Sequence, residues 1–216
     1  MNSLLQTLYN LPAFREGIYN VTPKDPNTKM EIIDALQALF YSLDTESEPP
    51  TPLPLIKAFD WDDSYAYDQQ DVQEFSRFLL DSIDSIIKND CGLDVLGYLR
   101  GSLVTHVQSA TGETHIHEDF CDISLPVEGC QTIADSIIHY MAPPPPDDNP
   151  NTTIRVEFKK LPSVLILHMN RFRYSPSEQR LTRDETVLSF TDAILIDNEE
   201  YRCYAIIVHQ GRVDSG

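Results

Sequence analysis

The hydrophobic pattern changes its period near Tyr98, and that switch restricts the chain to helices first and strands after. Ile32, Leu36, Leu39, Phe40 and Leu43 recur every three to four residues, which predicts a helix from about Met30 to Leu43 with one apolar stripe. A second stripe through Val72, Phe75, Leu79, Ile83, Ile86 and Ile87 predicts a longer helix. It is expected to close near Asn89 to Gly92, where Asn and Gly tolerate the left-handed backbone. The proline-rich run Glu48-Pro49-Pro50-Thr51-Pro52-Leu53-Pro54 separates the two, because proline removes an amide donor and restricts the residue before it. Beyond Tyr98, Ile154-Arg155-Val156-Glu157-Phe158-Lys159 alternates apolar and charged residues, as a strand with one buried face does. Val164 to Leu167 and Ala205 to Val208 are continuous apolar runs that suit central strands covered on both faces, or buried helix, which periodicity alone does not separate. The stretch 141–151, with four consecutive prolines from Pro143 to Pro146, cannot make a ladder and reads as an exposed, mobile loop. No internal repeat is visible, and the order of elements gives an α+β class.

A chain of 216 residues can bury the core of one large domain or two small ones. Its 34 acidic residues against 16 basic ones, a formal net charge of −18, argue against nucleic acid as a partner, since phosphate binding needs basic patches. An acidic surface suits a partner rich in arginine and lysine, or serves solubility alone. No run of ~18 apolar residues occurs, so no membrane span is expected. The start of the chain has neither the basic nor the apolar region of a signal peptide. Cys91, Cys121, Cys130 and Cys203 show no tight pairing, which fits reduced thiols and a cytoplasmic or nuclear location.

Four segments, in order, carry a family resemblance. Met1-Asn2-Ser3-Leu4-Leu5-Gln6-Thr7-Leu8 resembles the segment after the catalytic cysteine of the ubiquitin-specific proteases. Gln69-Gln70-Asp71-Val72-Gln73-Glu74-Phe75 is similar to that family's second signature. Leu161 to Phe172 resembles its Leu-Pro-x-x-Leu strand ending in Arg-Phe, and Tyr201 to Gly216 resembles the strand and glycine-rich loop before its histidine box. Within the family, Asp71-Val72-Gln73-Glu74 and the lack of paired zinc-ligand cysteines are most similar to the herpesvirus-associated branch. The resemblance implies a papain-like α+β domain with a helical thumb over 1–97, finger-like strands over 98–160 and palm strands over 161–216. It implies thiol-dependent hydrolysis at the ubiquitin C-terminus, with ubiquitin or ubiquitinated proteins as partners. The family cysteine would lie two positions before Met1 and the family histidine directly after Gly216. No catalytic residue is therefore assigned within the chain, which as written is expected to be inactive, because thiol catalysis needs both nucleophile and base. The alternative is a non-catalytic ubiquitin-binding or regulatory module.

The residues assigned to the ubiquitin tail are Gln69, Asp71, Glu74, Arg171, Phe172 and His209. Asp71 and Glu74 are three apart at the start of the long helix, so they share a face. They read equally as a capping box, in which Asp71 caps the helix and Glu74 reaches back to the cap amide. The resemblance implies instead that they, with Gln69, grip an arginine-rich tail; Asp71 can do both only if one oxygen caps and the other faces outward. Arg171 and Phe172 are implied to close over the tail at a strand end, and His209 to contact it without being the general base. Phe59 and Trp61 read as core. The four cysteines read as buried structural thiols. Many family members hold structural zinc with two Cys-x-x-Cys pairs in the fingers. His106, His115, His117, Cys121 and Cys130 fall in that region, but no Cys-x-x-Cys occurs and His115-x-His117 would have to supply ligands in its place, so no metal or cofactor is expected.

Overall fold

The computed structural model describes residues 1–25, 27, 29–61, 71–88, 94–144, 150–175 and 179–209. The chain divides into two compact units, Met1–Gly97 and Tyr98–Gly216.

The first unit is helical: α1 Asn2–Tyr9, α2 Pro12–Tyr19, α3 Glu31–Thr45, α4 Leu53–Ala58 and α5 Val72–Ile86. Proline stands in the first turn of both α2 and α4, where its missing amide costs no helical bond. The α3 stripe buries Ile33, Leu36, Leu39 and Phe40, while Ile32 and Leu43 lie at its margins. The ring of Phe40 receives Tyr9 at 5.5 Å and Phe14 at 6.1 Å, both edge to face, and this stitches α1 and α2 onto α3. Helix α5 buries Phe75, Leu79, Leu80 and Ile83 on the predicted face, and Ile87 is buried just beyond it. The expected helix end at Asn89 to Gly92 lies outside the described residues. Phe59 is buried and Trp61 half-buried, and the Trp61 ring stacks on Phe78 of α5 at 4.9 Å.

The second unit carries the strands. β1 Gly101–Ser109, β2 Gly112–Phe120 and β4 Thr153–Lys160 form an antiparallel sheet in the order β2-β1-β4. β3 Asp122–Pro126 pairs in parallel with β5 Ile166–Asn170. Two hairpins follow: β6 Phe172–Ser175 with β7 Arg180–Arg183, and β8 Ala193–Ile196 with β9 Glu199–Arg202. Leu103, Ile123, Leu125, Val156, Phe158 and Ile196 form one core with Ile137 of α6 Ile133–Met141. Inward Val156 and Phe158 alternate with Arg155, Glu157 and Lys159 as the period of two predicts.

Three features depart from the sequence reading. Helix α6 stands in the strand-rich half, started by a reciprocal cap: Thr132 Oγ1 accepts from Asp135 N at 3.0 Å, and Asp135 Oδ2 accepts from Thr132 N at 2.9 Å. Residues 203–209 join no ladder among the described residues, and Ile206, Ile207 and Val208 are exposed, so an apolar run without a pairing neighbour does not become a covered strand. Within Val164 to Leu167 the strand begins only at Ile166, and its side chains are half-buried rather than covered on both faces. Of the proline-rich loop, 145–149 lie outside the described residues. No helix among the described residues is long and apolar enough to cross a membrane.

Candidate functional site

Asp71 and Glu74 belong to the first unit. Asp71 is the cap residue of α5, and its Oδ1 accepts from both Gln73 N, at 2.7 Å, and Glu74 N, at 3.1 Å. Both bonds fall on one oxygen. Among the described residues Oδ2 makes no hydrogen bond, and neither does the Glu74 carboxylate; both residues are exposed. The cap is thus one-sided, unlike the reciprocal cap of α6. Aspartate at the cap and glutamate in the first turn also suit the positive end of the helix dipole. The arrangement offers two carboxylates on one helix end, a geometry that can receive guanidinium groups through charge-assisted hydrogen bonds. Gln69, assigned with them, lies outside the described residues.

Arg171, Phe172 and His209 belong to the second unit. Arg171 links β5 to β6 and is half-buried; its Nη1 donates to Asp184 O at 3.1 Å and to Thr186 O at 2.7 Å. Its own carbonyl accepts from Asp184 N at 2.7 Å, so this residue ties down the segment after β7. Phe172 is 38% exposed and meets the His209 imidazole edge to face at 6.2 Å. His209 Nδ1 is buried and has no hydrogen-bond partner among the described residues. A buried polar atom left so costs ~1–3 kcal/mol, which a bound backbone amide or carbonyl would relieve. Arg183 was not foreseen from the sequence. It stands opposite Phe172 in the β6–β7 register, and its Nη2 donates to His209 O at 3.4 Å. No sequence signal marks it, because the β6–β7 register alone sets Arg183 opposite Phe172.

The thiols divide. Cys130 is buried, with Sγ facing Pro126 O, Glu128 O and His139 Nδ1 at 3.5–3.7 Å. Cys121 is half-buried and Cys203 exposed, which corrects the expectation of uniformly buried thiols: Cys203 follows the end of β9, where nothing packs over it among the described residues. Cys91 lies outside the described residues.

Comparison with known proteins gives a consistent result. Residues 1–216 match the family described as ubiquitin carboxyl-terminal hydrolase. "Ubiquitin carboxyl-terminal hydrolase 5" of Schizosaccharomyces pombe is 30% identical, and "Ubiquitin carboxyl-terminal hydrolase 7" of Caenorhabditis briggsae 29%, each over 100% of this chain. The chain spans only 22% and 21% of those proteins. Among solved structures, the SAGA Ubp8/Sgf11/Sus1/Sgf73 DUB module bound to ubiquitin aldehyde superposes with a TM-score of 0.75 at 20% identity, covering 90% of this chain and 49% of that one. The likeness is one of fold, α+β and papain-like.

Proposed function

This chain belongs to the ubiquitin carboxyl-terminal hydrolase family, and on that footing we propose that it supplies the ubiquitin-tail-binding part of a thiol-dependent deubiquitinating domain. Asp71 and Glu74 receive tail arginines in this reading, and Gln69 is assigned to the same role. Phe172 and His209 line the tail's path, and Arg171 holds Phe172 in place by anchoring the segment 184–186. The observation that carries the proposal is the one-sided cap: among the described residues Asp71 bonds α5 through a single oxygen, and neither its Oδ2 nor the Glu74 carboxylate makes a hydrogen bond. His209 Nδ1, buried and without a hydrogen-bond partner among the described residues, suits a contact to the tail as well. The partner is ubiquitin or a ubiquitinated protein, met in the cytoplasm or nucleus.

We place the chain in the herpesvirus-associated branch, supported by Asp71-Val72-Gln73-Glu74 and by the lack of any Cys-x-x-Cys in its sequence. Grouping with members that carry both Cys-x-x-Cys pairs, in a tree of full-length sequences, would refute that placement.

Calorimetric titration with ubiquitin tests the site. The double variant Asp71→Asn, Glu74→Gln keeps size and capping capacity and removes both charges. Each shielded charge-assisted bond contributes ~1.5–3 kcal/mol, less where water reaches it, so affinity falls at least tenfold and its salt dependence weakens. Equal affinity and equal salt slope for the parent and the folded variant, or no ubiquitin binding by the parent, overturns the assignment.

A further inference from the structure

The sheet β2-β1-β4 carries a histidine pair that tail binding does not use. His106 on β1 stands directly opposite His115 on β2 in the antiparallel register. Their rings meet edge to face with centroids 4.9 Å apart, and the two Nδ1 atoms approach to 2.9 Å. The second nitrogen of each ring turns to a carboxylate. His106 Nε2 lies 3.2 Å from Glu157 Oε2 on β4, and His115 Nε2 lies 3.8 Å from Glu113 Oε1 on its own strand. Glu157 is held in turn by Lys159, whose Nζ donates to Oε1 at 2.5 Å.

An ionised carboxylate only accepts, so His106 carries its proton on Nε2 and presents a lone pair at Nδ1. An imidazole oriented by a carboxylate at one nitrogen, with a lone pair at the other, is the form in which histidine ligates metal. At 2.9 Å one Nδ1 donates to the other, so in the ion-free pair His115 carries its proton on Nδ1, and an ion bound there shifts that proton to Nε2. Two lone pairs then converge, and a carboxylate oxygen of Glu113 lies within 4.8 Å of one nitrogen of each ring.

We propose that His106, His115 and Glu113 bind one divalent first-row transition ion of the zinc or copper(II) class, with Glu157 orienting His106. At metal–nitrogen distances of ~2.0–2.1 Å, nitrogens 2.9 Å apart subtend about 90° at the ion. Imidazole and carboxylate donors suit zinc, copper and nickel, whereas calcium and magnesium take oxygen. The His115 and Glu113 side chains are 48% and 52% exposed, so water completes the coordination shell. The ligands stand on β1 and β2, so the ion staples these two strands, and β4 joins only through the orienting Glu157. No thiolate takes part, which separates this site from a pair of Cys-x-x-Cys knuckles, and it departs from the expectation of no metal drawn from the sequence.

The test is calorimetric titration of the untagged chain with zinc chloride and, separately, copper chloride in a non-chelating buffer. One equivalent binds, and His106→Gln and His115→Gln each weaken binding more than tenfold. Glu157→Gln weakens it ten- to hundredfold by releasing the His106 ring. His117→Gln, on β2 opposite Val104 and outside the cluster, leaves it unchanged. The substituted side chains lie toward the sheet surface, and circular dichroism confirms that each variant is folded. No saturable binding below millimolar metal, or binding by the His106→Gln and His115→Gln variants equal to the parent's, overturns the proposal. A loss for His117→Gln equal to that for His115→Gln does so too.

Discussion

Replacing Asp71 by alanine isolates what the cap contributes to the first unit. Asp71 Oδ1 satisfies two of the amides that no helical carbonyl can reach, at 2.7 and 3.1 Å. Losing an Asp cap to Ala costs ~1 kcal/mol within a range of about 0.5–2, and the lost charge at the positive helix end adds ~0.3–1. Asn keeps an oxygen in the same place and costs only the charge part. Helix α5 also holds the aromatic stack that reports on it: Trp61, the sole tryptophan, lies 4.9 Å from Phe78 and 6.1 Å from Phe75, both on α5. Urea unfolding followed by Trp61 fluorescence therefore reads the first unit. With a slope of ~2–3 kcal/mol per molar urea, Asp71→Ala lowers the midpoint by ~0.4–1 M and Asp71→Asn by ~0.1–0.5 M, always by less than Asp71→Ala. A midpoint unchanged in Asp71→Ala, or lowered equally in both variants, refutes the cap as drawn. The same comparison separates capping from ubiquitin binding, since Asn spares the helix and still removes the charge.

Acid should loosen the first unit through Asp44. Hydrogen bonds donated by Tyr9 and Tyr19 hold its carboxyl below the ordinary range. A folded value below the unfolded one stabilises the unit above pH ~4 and ceases to do so as pH falls through the folded value. Asp44→Asn, compared with the parent by urea midpoint at pH 6 and pH 3, should therefore lose less on acidification; an equal loss refutes this. In the second unit, Gly101→Ala places a Cβ within 2.8 Å of the Lys160 carbonyl oxygen and against the Phe120 ring. That overpacking costs ~1–3 kcal/mol, and a circular-dichroism melt unchanged from the parent's would contradict it.

The amphipathic helices α3 and α5 were legible in the sequence because a 3.6-residue period and a cap residue are local properties, set by neighbours within a turn or two. The β4 alternation was legible for the same reason. Asp71 and Glu74 were found by motif and spacing, and the order of the four family segments carried the fold. Helix α6 was missed although Thr132 and Asp135 stand at cap spacing, because nine residues hold too few helical turns for the 3.6-residue period to stand out among strands. Which oxygen of Asp71 caps, and that Arg171 is occupied by the carbonyls of Asp184 and Thr186, are questions of side-chain geometry with no periodic trace. The apolar run Ala205 to Val208 carried a strand signal, yet a ladder needs a partner, and pairing is decided between segments. His106 and His115 show the same division most sharply. The sequence places both in the region weighed for zinc, which the want of paired cysteines argues against, but only the β1–β2 register sets them opposite one another and only β4 brings Glu157 to His106. Local chemistry is written along the chain, but convergence of side chains from separate strands exists only once the sheet has formed.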